Sequence, residues 1–398
     1  MVRCGRALGL ALVVVALSTT ACGEADAPGP STADAGAATT ASALSATTTP
    51  PATSTTTAPP PPERVTLAFT GDLLPHDAVV ARAQAYGAPS GVAYDFRPML
   101  AQVGPLLSRV DLALCHLEVP LSADNALIAG YPSFSGPREM GQAIATAGYD
   151  GCSTASNHSL DQRADGVVAT LDVLDQDRVG HSGTARTAEE AVAPVLYETD
   201  GGPVVGHVSA AYGFNGAVPD TPWRVRDLDP DPLIAAAREA RQAGADLVVA
   251  SLHWGIERQH EVTPEQLALA DVLTASGAFD LIVGHHAHVV QPIQRVNGVP
   301  VVFGLGNFLS NMTDPDTRDG AIVRVRAARD AEDSPWRFDI AVTPTWVDLA
   351  SFTVLPVAAT LAGPNGAALA GELRASWDRT IAVMTADGVA HPAGSLPG

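Results

Sequence analysis

Along the chain, short runs of apolar residues alternate with longer stretches in which apolar positions recur every three or four residues. The short runs are rich in Val, Ile, Leu and Phe. They predict strands at Val65–Phe69, Asp111–His116, Gly151–Ala155, Val204–Val208, Leu247–Leu252, Leu281–Val283 and Val301–Phe303. The longer stretches predict helices at His76–Tyr86, Phe96–Val110, Met140–Ala147, Val167–Leu174, Pro232–Gln242 and Pro264–Ser276. Two helices carry start signals: Asp231 precedes Pro232, and Thr263-Pro264-Glu265-Gln266 can close a capping box. Beyond Gly320 the pattern is strands without helices, at Ala321–Val325, Phe338–Val342, Thr345–Val347 and Phe352–Leu355. These complete a sheet of the same domain. A tail over 359–398 holds one helix near Leu373–Met384. Strand followed by helix, repeated, argues for one layered α/β domain over 64–358.

The first 63 residues follow no such pattern. Arg3 and Arg6 precede an apolar run, Ala7–Leu17, that is too short to span a bilayer. Ser18-Thr19-Thr20-Ala21-Cys22 follows, which reads as a lipoprotein-type signal over 1–22 with Cys22 as the lipidated residue. Thr19 stands where such sites usually carry an aliphatic residue, and secretion with cleavage near Ala21 is the alternative. Residues 23–63 are rich in Ala, Thr, Ser and Pro and too poor in large apolar residues to form a core, which predicts a disordered linker. The expected place is therefore outside the cytoplasm, lipid-anchored to the cell membrane or secreted.

Composition narrows the possible partners. The 398 residues are 46% hydrophobic, enough for a substantial core, and the formal charge is −20. No Lys/Arg cluster is visible, so nucleic acid is a poor partner. A polyanionic substrate also meets an unfavourable field, unless bound metal reverses it locally. With Cys4 and Cys22 assigned to the signal, Cys115 and Cys152 remain. They form a disulfide if their strands are neighbours, or two buried thiols if not.

Polar residues recur where the strands end, which is where open α/β sheets place ligands. They are Thr70-Gly71-Asp72 with His76 following, His116-Leu117-Glu118, Ser156-Asn157-His158-Ser159-Leu160-Asp161, His253-Trp254-Gly255 with Glu257 behind, Gly284-His285-His286-Ala287-His288, and Gly304-Leu305-Gly306-Asn307-Phe308. In a strand of period two, His286 and His288 point to one side, a plausible metal pair. Carboxylates, imidazoles and amides together suit Mn, Fe or Zn rather than a thiolate-rich structural zinc. His181 and His207 lie outside these segments and read as ordinary structural histidines. Trp254 reads as a wall of the site.

The order Gly-Asp, Leu-Glu, Asn-His, His-Trp-Gly, His-x-His, Gly-Asn-Phe resembles the CapA family, named for poly-γ-glutamate capsule synthesis. Thr345-Trp346-Val347-Asp348 fits the same family. The resemblance covers about 65–355 and implies a four-layer α/β/β/α metallophosphoesterase-like sandwich with two divalent metal ions. It implies metal ligands at Asp72, Glu118, Asn157, His253, His286 and His288, and a catalytic acid at His158. His76, His116, His285 and Asn307 stand as further metal or substrate contacts. Three departures matter, the first being that Glu118 stands where metallophosphoesterases carry a bridging Asp, which changes its reach. Asp72-Leu73-Leu74 replaces the Asp-x-His of metallophosphoesterases, with His76 one helical turn on as the substitute, and His116 stands where relatives more often carry Asn. The implied role lies in poly-γ-glutamate capsule or cell-envelope polymer biosynthesis, as a metal-dependent hydrolase or transferase. The alternative is a non-enzymatic, lipid-tethered assembly factor that binds poly-γ-glutamate or another anionic envelope polymer together with membrane capsule-synthesis proteins.

Overall fold

The computed structural model describes residues 63–397, apart from 333 and 365. The signal over 1–22, Cys22 and the linker up to residue 62 lie outside the described residues. Glu63 already belongs to the first strand, where it pairs with Arg329.

The chain builds two sheets in three passes. It first lays down β1 (Glu63–Leu73), β2 (Leu112–Leu117), β3 (Gly151–Ser153) and β4 (Gly180–Ser182), all parallel. It then builds a second sheet from β5 (Leu196–Tyr197), β6 (Val205–Ala211), β7 (Leu247–His253), β8 (Leu281–His285), β9 (Ile293–Val296) and β10 (Val299–Val302), in the order β5-β6-β7-β8-β10-β9. Finally it returns to the first sheet with β11 (Asn307–Leu309), β12 (Asp319–Arg329), β13 (Arg337–Asp348), β14 (Thr353–Pro356) and β15 (His391–Pro392). The first sheet runs β14-β13-β12-β1-β2-β3-β4, with β11 beside β1 and β15 beside β13.

Period-two alternation sorts the side chains into layers. Val65, Leu67 and Phe69 of β1 point inward and pack with Val323, Val325, Val249, Leu281 and Val283 between the sheets. Ala68, Ala113 and Cys115 point outward, under Val79, Phe96, Leu107 and Ile144 of the helical segments on that side. On the far face Val248, Ala250 and Ile282 pack against Leu233, Ala237 and Leu273 of the helices Pro230–Gln242 and Pro264–Ala275. The architecture is a mixed α/β sandwich of four layers, α/β/β/α.

Several local expectations shift. The single helix over Phe96–Val110 is two one-turn helices, Arg97–Leu100 and Gly104–Leu107, each with a proline in its first turn. Asp229 rather than Asp231 caps the helix Pro230–Gln242, accepting from the Asp231 N–H. The Thr263/Gln266 capping box is present in both directions. Phe338–Val342 and Thr345–Val347 are one strand, β13, which runs through Pro344 opposite Ala321. A proline inside a strand suggests a break, yet long antiparallel pairing on both sides carries β13 through. The last residues are built into the sandwich: Leu373 of the helix Ala370–Met384 packs with Trp346, Leu355 and Val357, and β15 extends the sheet. Cys115 and Cys152 face each other in register on β2 and β3 and form a disulfide. Among the described residues no helix is long and apolar enough to cross a membrane.

Candidate metal centre

Parallel register brings the site residues together. Asp72 at the end of β1 lies beside His116 on β2 and Asn307 on β11. His116 is level with Ser153 on β3, and His253 on β7 is level with His285 on β8. Two glycines make this close packing possible. A Cβ on Gly71 would sit 1.9 Å from the Gly306 carbonyl oxygen, and one on Gly284 would sit 1.9 Å from that of Phe303. The Asp72 N–H donates to the Gly306 carbonyl at 3.0 Å, which ties β1 to the loop before β11.

Asp72 is fully buried. Its Oδ1 lies 3.1 Å from His285 Nδ1, and its Oδ2 lies 3.3 Å from His288 Nδ1. Burial alone would raise its pKa, but hydrogen bonds from these two imidazoles outweigh it, so the carboxyl is held below its usual range. His288 is raised to about 9: burial opposes its charge, but Glu118 and Asp72 beside it win. His116 and His253 are pushed well below the ordinary value by burial and by neighbouring imidazoles, and His286 falls to about 4 for the same reasons. Neutral imidazole is the form that binds metal.

A polar chain links three of these groups. Asn157 Oδ1 can only accept, so His253 Nε2–H donates to it at 2.8 Å. That leaves His253 Nδ1 to accept from His116 Nε2–H at 2.9 Å, and His116 Nδ1 to accept from the Ser153 hydroxyl at 2.7 Å. The His116 ring also stacks on His285, with centroids 4.1 Å apart.

Glu118 stands out. It is buried, both carboxylate oxygens lack any hydrogen-bond partner, and burial drives its pKa well above the ordinary value. His288 Nε2 is 3.7 Å away. His286 Nδ1 is likewise buried without a partner. An unpaired buried carboxylate costs several kcal/mol, and a cation is what such a group fits. Ligand atoms of Asp72, His116 and His285 fall within 4.8 Å of one another. So do those of His116, Glu118 and His253, of Asp72, Glu118 and His288, and of Glu257, His286 and His288. The cluster can hold divalent metal.

The structure also changes the reasoning for two of these residues. β8 stops at His285, so His286 and His288 do not share the face of a strand. Both have left-handed backbones, φ 89° and 56°, and a turning loop brings their rings to 6.0 Å. His76 joins none of the four ligand groups. Its ring packs edge-on against Phe134, and Nδ1 accepts from the Asn311 N–H at 3.3 Å. Asn307 Oδ1 faces His288 Nδ1 at 3.0 Å, and its Nδ2–H donates to the Thr317 carbonyl at 2.9 Å, so it orients a histidine. Trp254 is a buried wall, stacked on Phe303 and donating to its carbonyl at 2.9 Å. His207 is buried on Ser251 and His181 pairs with Asp175, away from the centre.

His158 sits at the mouth. Its Nδ1 lies 2.7 Å from Asp161 Oδ2 and 3.3 Å from Asn215 Nδ2, and its ring meets Phe134 edge-on at 4.7 Å. A cleft of about 1090 Å³ opens beside it, walled by Asn157, Tyr131, Phe214, Asn215 and Glu257. Asp161 closes the Ser156–Asp161 segment, and its i, i+3 spacing from His158 is the sequence signal of this pairing. Asn215 and Tyr212, whose ring lies 4.5 Å from that of His286, come from a loop after β6 with no such signal.

Comparison with known proteins agrees with the motif order. Residues 66–312 match the family described as bacterial capsule synthesis protein PGA_cap. The capsule biosynthesis protein CapA of Bacillus anthracis is 27% identical over 274 residues, 66% of this chain and 64% of that protein. The PGA biosynthesis protein CapA of Bacillus subtilis is 31% identical over 208 residues, 51% of this chain and 52% of that one. A probable polyglutamine synthesis accessory protein of Mycobacterium tuberculosis is 26% identical over 216 residues, 50% of this chain and 56% of that one. The chain thus spans between about half and two thirds of these relatives' lengths. Among solved structures, the calcineurin-like phosphoesterase YfkN of Bacillus subtilis aligns over 80% of this chain and 98% of its own, at 16% identity and a TM-score of 0.44. A Thermus thermophilus sulfate thiohydrolase, SoxB, aligns over 80% of this chain and 61% of its own, at 18% identity and a TM-score of 0.44.

Proposed function

This chain belongs to the bacterial capsule synthesis protein family PGA_cap, and on that membership we propose that it is an exported, lipid-anchored, metal-dependent hydrolase or transferase of poly-γ-glutamate capsule or cell-envelope polymer synthesis. The observation that carries the reading is Glu118, a buried carboxylate with neither oxygen partnered, grouped with His116 and His253 and with Asp72 and His288. Asp72, Glu118, His116, His253, His285, His286 and His288 would hold one or two divalent transition-metal ions, with Asn157 adding an amide oxygen. Such ions supply Lewis-acid stabilisation to an oxyanion.

The chain's own residues supply the rest. Asp161 occupies Nδ1 of His158, which fixes the ring and leaves Nε2 as the atom that would pass a proton to a leaving group. Phe134 packs against the same ring and limits its rotation. The cleft beside it receives the substrate, a phosphoester or the poly-γ-glutamate amide bond, including its transfer to an envelope acceptor. The export signal over 1–22 and lipidation at Cys22 place this work at the outer face of the membrane, with 23–62 as the tether.

The test is metal content and turnover of the purified protein beside Asp72→Ala and His286→Ala. The expected result is bound transition metal and metal-dependent turnover in the parent, both lost in the variants. His158→Ala should keep the metal and lose about 10²–10⁴-fold in rate. Bound metal without turnover on ester or amide substrates would instead mean a polymer-binding assembly factor.

A further inference from the structure

Arg163 opens the helix Arg163–Gln176 and lines the cleft two residues beyond Asp161. Its setting is locally unfavourable in two ways. The backbone is left-handed, φ 55°, a conformation that glycine adopts freely and a residue with a Cβ adopts only at a cost. It also puts a cation at the positive end of the helix dipole, where a carboxylate is the favoured residue. Among the described residues, its guanidinium makes no hydrogen bond or ion pair, and its backbone N–H donates to the Leu160 carbonyl at 2.9 Å. Arginines elsewhere in the fold are committed: Arg186 is paired with Glu190, Arg224 with Asp220 and Arg258 with Asp314.

The surroundings sharpen the point. Among the residues lining the cleft, Asp161, Asp165, Asp220 and Glu257 are acidic, and Arg163 is the sole guanidinium. Asp220 is held by Arg224 and Asp161 by His158. A polyanion entering a chain of formal charge −20 needs a fixed cation in its path. A guanidinium matches a carboxylate with two parallel N–H···O bonds.

We infer that Arg163 is a specificity-determining residue that receives a carboxylate of a γ-linked glutamate chain at the cleft beside the metal centre. The inference rests on the proposed function and names the substrate group that this side of the site selects. The local costs at Arg163 are then offset by substrate recognition and not by folding, in keeping with strain kept at functional sites.

The experiment titrates the full chain, loaded with Mn²⁺, with a γ-linked glutamate oligomer and separately with inorganic phosphate, at low salt. Arg163→Gly suits the left-handed backbone, so that its melting temperature should equal or exceed the parent's. The expected result is oligomer binding about tenfold weaker in Arg163→Gly, partly retained in Arg163→Lys. Oligomer binding equal to the parent's in Arg163→Gly overturns the inference and leaves the proposed function standing. A parent that binds phosphate through Arg163 but ignores the oligomer keeps the anion-receiving role and sinks the capsule-polymer reading. A parent that binds neither anion sinks both.

Discussion

At the carboxyl ends of β1, β2, β7 and β8 the sandwich buries Glu118 with neither oxygen partnered, whereas at the opposite ends of the same sheets it buries Arg329 with its charge fully used. Arg329, at the end of β12, donates to Glu63 through Nε at 2.7 Å and to Asp246 through Nη2 at 2.7 Å. Its guanidinium also lies 4.7 Å from the Trp336 ring centroid. Glu63 opens β1 and Asp246 immediately precedes β7, so this one cation clamps the two sheets together. One end satisfies its charge internally and so contributes to stability. The other leaves both Glu118 oxygens without a hydrogen-bond partner, which fits the proposed metal. What separates structure from function is whether the partner belongs to the chain.

That contrast can be broken by exchanging effects between the ends. The largest change is expected for Glu118→Gln, which keeps the shape and removes the charge. Metal affinity, read by competition with a chelator, should fall at least about 100-fold, while the metal-free melting temperature moves little. A large loss of metal-free stability would mean that Glu118 is structural after all.

Of comparable size, but read in stability, is Cys115→Ser with Cys152→Ser. The disulfide closes a separation of 37 residues, and the loop-entropy model gives about 3–4 kcal/mol of unfolding free energy lost. Because Cys115 precedes His116 and Cys152 precedes Ser153, metal affinity should fall as well. Stability lost with affinity intact would show that the bridge does not support the centre.

Arg329→Ala should cost about 2–3 kcal/mol by denaturant titration, since Arg329 is buried but Glu63 and Asp246 are partly exposed. Metal content should stay at the parent value. A fall in metal content would mean that the clamp transmits to the far end. The smallest effect is expected at Thr263→Ala, which removes the cap of the helix Pro264–Ala275 and should cost about 1 kcal/mol with metal binding unchanged.

Much of the centre was legible in the sequence for a simple reason. Parallel strands end level with one another, so polar residues at successive strand ends converge without any knowledge of the loops. Asp72, Glu118, Asn157, His253 and the His285–His288 segment were all found in this way, and the capping box at Thr263 was readable because its four residues are local. The misreadings came from rules that longer-range packing overrides. Phe338–Val342 and Thr345–Val347 read as two strands, but continuous pairing with β12 makes them one. His286 and His288 were assigned strand periodicity, but two left-handed residues set their directions.

The sequence by itself determined the alternation of strands and helices, the set of metal-type residues and the order of motifs that marks the family. These depend on local spacing and residue chemistry. Only the tertiary structure decided that Cys115 and Cys152 are neighbours, that His116 hands a hydrogen bond to His253 and so to Asn157, that Asp161 rather than a more distant acid holds His158, and that Glu118 is left without a partner. Each of these depends on which strand lies beside which and on what reaches a buried atom, and no local pattern encodes either.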